Sequence, residues 1–166
     1  MQIDETAICN GRIITDPANT MDDTPNIQWI IGGVEKNNVR KLFLFIAPNR
    51  KKETILYMLN KFVKPGSIIV TDGYPSYPYS VQKFNSVHKV VNHTTGFKNE
   101  EGYTTNKIEN ILSHFKTVYR SRHGLNHCRI PSFINEFVSR KSFAFKRSSA
   151  GNRRVFMLLL TMLSRT

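Results

Sequence analysis

The chain has 166 residues, 40% hydrophobic and 22% charged, which suits one packed domain, and its longest apolar run, Val155–Leu160, is far too short to span a bilayer. Lys and Arg number 24 against 12 Asp and Glu, a net charge of +12, placed unevenly: residues 1–102 carry a net +2 and residues 103–166 a net +10. A basic half beside a nearly neutral one fits a polyanionic partner, most simply nucleic acid, or else a solubilising surface.

Met1–Cys9 reads as a strand that begins with no lead-in, as in a chain cut from a longer one, and it lacks the regions of a secretory signal. Asn10–Asn26, with Gly11, Pro17, Pro25 and three Asp, reads as a loop. Ile27–Val34 and Arg40–Ala47 flank Glu35–Asn38 as a hairpin. Asn49 is placed to cap a helix running to Phe62, with Ile55, Met58, Leu59 and Phe62 on one face, ended by Pro65-Gly66. Ser67–Thr71 is a short apolar run expected of a buried strand, and it delivers Asp72-Gly73 at its C-terminal end. Tyr74–Phe84 reads as a loop and short helix, His88–Asn92 as a strand, and Thr94–Tyr103 as a loop. Thr105–Arg120 carries the strongest helical pattern, and Arg129–Arg140 and Arg153–Leu163 give two more helices. Three antiparallel strands followed by helix-linked strands imply an α/β fold with a mixed sheet and helices packed on it. The expected division is a core at 1–125 and a basic helical extension at 126–166.

The helix from Thr105 presents Ile108, Ile111, Leu112, Phe115 and Tyr119 as its core stripe. Asn106, Glu109, Lys116 and Arg120 form a polar seam beside it, so Glu109 is aimed across the sheet rather than into bulk water. Asp4 lies inside the first apolar strand and Asp72 ends the central one. An acid in such a place must be hydrated, paired or bound to a cation, and strand C-termini are where open sheets bind ligands. Three carboxylates meeting there offer hard oxygen ligands for Mg²⁺ or Mn²⁺. Two such ions can clamp the attacking and leaving oxygens of a phosphodiester, with Lys116 meeting phosphate nearby. Each residue alone also fits a plainer role: Asp72 as the start of an Asp-Gly turn, Asp4 as a solvated edge residue, Glu109 and Lys116 as surface charges. Glu5 alternates to the opposite face from Asp4 if this is a strand, and reads as structural or secondary to the site.

The blocks "IDET" (Ile3–Thr6), "QWIIGGVE" (Gln28–Glu35), "VKPGSIIVTDGYPSY" (Val63–Tyr77), "VVNHTTGF" (Val90–Phe97), "TTNKIENILSHFK" (Thr104–Lys116) and "INEFVSR" (Ile134–Arg140) follow in one order. With 67 residues between Asp4 and Asp72 and 36 between Asp72 and Glu109, the chain resembles the DDE transposases of ISXO-type insertion sequences and their Merlin relatives. The resemblance implies a ribonuclease H-like fold, a mixed five-stranded sheet with helices on both faces. It implies metal-dependent DNA cleavage and strand transfer by a mobile element, with Asp4, Asp72 and Glu109 as the catalytic, metal-binding triad. Two Mg²⁺ or Mn²⁺ ions would be shared among them. Asn106, Lys116, Arg120 and Arg140 would contact DNA, and His93 matches the His of a family block. The partners would be transposon ends and target DNA, met by a homodimer or larger synaptic complex in a nucleus or a bacterial nucleoid, with no membrane involved. Gln2 stands where the family often has an acid, Ile111-Leu112 where it often has a Trp, and Ser139 where it has another aromatic. Asn10–Asn26 also lacks the family's usual glycine-rich basic character. A catalytically silent DNA-binding module and a nuclease without strand transfer therefore stay open. Cys9 and Cys128 fit no ligand spacing and read as buried free thiols of an intracellular protein. "HGLNHC" (His123–Cys128) lacks a second zinc ligand pair, and "RKSFAFKR" (Arg140–Arg147) fits either nucleic-acid contact or an amphipathic segment.

Overall fold

The computed structural model describes residues 1–15, 17, 20–22, 24–91, 102–122 and 125–143. In chain order the elements are β1 (Gln2–Cys9), β2 (Arg12–Ile13), β3 (Ile27–Val34), β4 (Leu42–Ala47), α1 (Lys52–Phe62), β5 (Ile68–Thr71), α2 (Tyr77–Lys83), β6 (Val87–Val90), α3 (Asn106–Ser121), a 3₁₀ turn (His127–Arg129) and α4 (Ile130–Ser142).

Apolar residues occupy both odd and even positions of β1 because it is the middle strand, covered on both faces. Ile3 and Ala7 join Trp29, Ile31 and Ile69 against Ile55, Met58 and Leu59 of α1 and Tyr77 and Val81 of α2. Ile8 joins Ile30, Val34 and Leu44 on the other face, against α3 and the Ile130, Phe133, Ile134 and Phe137 side of α4. The sheet order is β4-β3-β1-β5-β6. β4, β3 and β1 are antiparallel, while β5 is parallel to both β1 and β6. The fold is thus α/β, with a mixed sheet between helices on both faces.

The expected five strands form this path, but the sheet has a sixth. β2 lies in the segment read as a loop and pairs with the end of β1. Asn10 and Gly11 make the turn with positive φ of 49° and 74°, the backbone that an Asn-Gly hairpin demands. Asn49 does not sit at the cap of α1. Its Oδ1 accepts from Lys51 N–H and Thr54 Oγ1 instead, and the helix begins at Lys52. The five residues expected on the buried stripe of α3 are the ones buried. α4 packs its apolar side into the same core as α3. Both cysteines are free, but only Cys9 is half-buried; Cys128 is exposed on the 3₁₀ turn, against expectation. No helix among the described residues is long and apolar enough to cross a membrane. His93, His123, the second half of Arg140–Arg147 and the expected helix Arg153–Leu163 lie outside the described residues.

Candidate active site

β3 lines one edge of β1 along its whole length. The other edge is shared. β5 joins it at Gln2↔Val70 and β2 at Ile8↔Ile13 and Cys9↔Arg12, which leaves Asp4, Glu5 and Thr6 without a strand partner on that side among the described residues. Asp72 arrives at this gap as β5 ends. Gly73 turns the chain away at φ +95°, and a Cβ there would stand 2.8 Å from Val90 Cγ1. Thr71 Oγ1 secures the turn by accepting from Gly73 N–H at 3.1 Å while bonded to His88 Nε2 at 3.0 Å. The result is a group of three acids. Asp4, Glu5 and Asp72 each offer a carboxylate oxygen within 4.8 Å of the others.

α3 brings the fourth acid. Gln2 Oε1 accepts from the N–H groups of Lys107 (3.0 Å) and Ile108 (3.3 Å), which pins the first turn of α3 onto β1 and satisfies two donors every helix start leaves open. Gly32 pairs with Asp4 across β1 and β3. A Cβ at Gly32 would lie 2.9 Å from Ile108 Cδ1, so this glycine lets α3 sit close over the strand beside Asp4. Glu109, the next residue, is half-buried and accepts a hydrogen bond from the buried hydroxyl of Thr105. Lys116 is the other half-buried member of the polar seam, while Asn106 and Arg120 are exposed. Glu109 is not in the close group of three, yet its charge and that of Lys116 both reach Asp4.

Burial raises the Asp4 carboxyl to about 6; Asp72 and Glu109 push the same way, against the Glu5 N–H and Lys116. Glu5 goes further, to about 8, because it is more deeply buried and faces Asp72 and Asp4, with Tyr77 and Arg50 opposing. The sign for stability follows. Both folded-state values lie above the ordinary 3.8 and 4.5, so folding retains protons that the unfolded chain has released. The stability this contributes is complete below about pH 4 and is lost as pH rises through 6 and then 8. Thermal melts in chelator from pH 4 to 8 should show a falling melting temperature, and a rising one would contradict the burial of these groups.

Of the three acids expected together, Asp4 and Asp72 stand in the close group, and Glu109 lies outside it with its charge reaching Asp4. Arg120 lines a cleft of about 510 Å³ with Arg12, Asn10 and Asn126, away from the acids. Arg140 is exposed on α4, where Glu136 pairs with it at 2.9 Å and with Arg122 at 3.0 Å. A cavity of about 700 Å³ among Glu35, Lys36, Lys41, Lys64 and Lys107 is lined by none of Asp4, Glu5, Asp72 and Glu109. Sequence reasoning missed Gln2 and Gly32 as the residues that seat α3. A glycine inside an apolar strand was the available signal for the second. It also missed Arg50, which has no periodic signal, and it set Glu5 aside.

The ISXO2-like transposase domain matches residues 10–142, a stretch that holds Asp72, Glu109, Lys116 and Arg140 and starts beyond Asp4. An uncharacterized transposase-like protein of Haemophilus influenzae is 33% identical over 86 residues, 51% of this chain and 68% of the relative. With four fifths of its length matched from the turn after β1 to the end of α4, the chain belongs to the ISXO2-like transposase domain family.

Proposed function

We propose that this domain is the catalytic core of a DDE-type transposase with a ribonuclease H-like arrangement, cutting a DNA phosphodiester with water to free a 3′-OH, which then attacks a target phosphodiester, forming a new 3′-O–P bond as the target's own 3′-oxygen leaves. The observation that carries this reading is the meeting of Asp4 and Asp72 at the gap beside β1, with Glu109 and Lys116 close enough to act on Asp4. The strand order, three antiparallel strands followed by two parallel ones, supports it.

The donor set fits a hard divalent cation, Mg²⁺ or Mn²⁺, since its ligands are carboxylate oxygens and one buried oxygen, Glu5 Oε1, has no hydrogen-bond partner. Asp4 and Asp72 would hold one ion, and Asp4 and Glu109 a second. When bound, two such ions supply Lewis-acid stabilisation to the attacking and leaving oxygens of a phosphodiester. The chain's own groups do the rest. Thr105 orients the Glu109 carboxylate. Lys116 binds a phosphate oxygen next to the acids and offsets their mutual repulsion. Asn106, Arg120 and Arg140, exposed on α3 and α4, contact the DNA backbone and set its register. The substrates are the element's ends and a target duplex, brought together by two or more copies of the chain.

The test is a Mg²⁺-dependent reaction on DNA carrying the element's own ends. The expected products are a cut strand and a joined strand, with Asp72→Asn slowing both by about 10³-fold or more. Cut strands without joined ones would replace this reading by a nuclease. Metal-independent DNA binding without cleavage would replace it by a silent binding module.

A further inference from the structure

The geometry points to Glu5 as a third protein ligand of the cation held by Asp4 and Asp72, reaching it from the opposite face of β1. This rests on the reading of Asp4 and Asp72 as cation ligands. In a continuous sheet, neighbouring residues on a strand cannot share a site, because their side chains leave opposite faces. Glu5 does leave the Ile3 and Ala7 face, beside Tyr77. But among the described residues β1 has no strand neighbour at Asp4–Thr6 on the β5 side, so a side chain from either face can turn through the gap toward Asp72. Its carboxylate has done so, lying within 4.8 Å of both others.

A second observation points to a ligand. Glu5 is only 8% exposed, and its Oε1 is buried with no hydrogen-bond partner. The Tyr77 hydroxyl, near enough to favour the ionised carboxylate, is likewise buried without hydrogen-bond geometry to any group. A buried carboxylate oxygen left bare is destabilising unless a cation or a proton meets it. Oxygens around Mg²⁺ sit about 2.1 Å from the ion, hence about 3 to 4 Å from one another. Three oxygens within 4.8 Å need only a small closure to reach that. Glu109, bonded to Thr105 outside the group, is left to the second ion. The order that follows is sequential: the Asp4–Glu5–Asp72 ion binds first, and the Glu109 ion is weaker.

Mn²⁺ binding to the full chain without DNA, read by electron paramagnetic resonance, tests this. Glu5→Gln should weaken the tighter Mn²⁺ by about tenfold or more, as Asp72→Asn does, while Glu109→Gln leaves it within about twofold. A rise in melting temperature with Mn²⁺ should shrink in Glu5→Gln, whereas its melting temperature in chelator should stay level or rise. A merely structural Glu5 gives the reverse pattern. Unchanged Mn²⁺ affinity in Glu5→Gln, with loss in Asp72→Asn, overturns the inference and leaves the proposed function standing. No Mn²⁺ uptake by the unmodified chain overturns both. Should Glu5→Gln fail to fold, Glu5→Asp withdraws the charge by one methylene: weakened binding supports the inference and unchanged binding overturns it.

Discussion

Glu109→Gln should take strand cleavage to background while the fold and DNA binding persist. The amide keeps the shape and can still accept from Thr105, and the residue is half-buried at the edge of α3 rather than in its core stripe. Its stability effect should therefore stay within about 1 kcal/mol. What it loses is a charge beside Asp4, where the proposed second cation would be held. Removing a negative charge near phosphate leaves DNA affinity level or improved. Lys116→Ala separates the two tasks of the seam, since it leaves every acid in place. It should slow cleavage on the order of tenfold, about 1.4 kcal/mol, and the loss should shrink at low salt, where the remaining basic residues hold DNA more strongly. Cleavage by Glu109→Gln at the unmodified rate would sink its assignment, whatever the family.

How far the site could be read from sequence depended on which residues obey a period. The α3 stripe was legible because 3.6-residue spacing fixes both the buried side and, by difference, the seam with Glu109 and Lys116. Asp4 and Asp72 were legible because an acid within or ending an apolar strand has few places to go. Glu5 reads as structural or secondary from strand alternation, a rule that does not place a carboxylate where the sheet is interrupted, and its carboxylate lies within 4.8 Å of those of Asp4 and Asp72. The gap beside it comes from β5 ending at Thr71 and β2 ending at Ile13, and neither end was fixed by pattern alone. β2 was legible in principle from Asn10-Gly11. Gln2, by contrast, looked like a departure from an acidic family position. Its side-chain carbonyl accepts the two N–H groups at the start of α3, a task that needs an oxygen rather than a charge.

The largest stability loss should come from a residue that no pattern marks. Arg50→Ala is expected to cost about 3 kcal/mol, the low end of the range for removing one partner of a buried ion pair, because Asp22 is only half-buried. Arg50 is 5% exposed. Its Nε donates to Asp22 Oδ1 at 2.9 Å, and its terminal nitrogens donate to the carbonyls of Thr20 (2.8 Å) and Pro17 (3.4 Å). The guanidinium lies between two rings, 3.6 Å from the Trp29 centroid and 4.1 Å from that of Tyr74. One planar cation thus ties the segment before β3 to the start of α1 and to the turn after Asp72. Arg50→Lys keeps the charge but neither the fork nor the stacking, so it should recover less than half of the loss. Alanine also releases Tyr74, whose ring lies on the guanidinium and whose N–H donates to Asp72 Oδ1 at 3.4 Å. Divalent-cation affinity should therefore fall in Arg50→Ala even at temperatures where it stays folded. Urea unfolding measures the first effect and Mn²⁺ titration the second. A stability change under about 1 kcal/mol with unaltered Mn²⁺ binding would show that the stacked guanidinium supports neither the fold nor the acids.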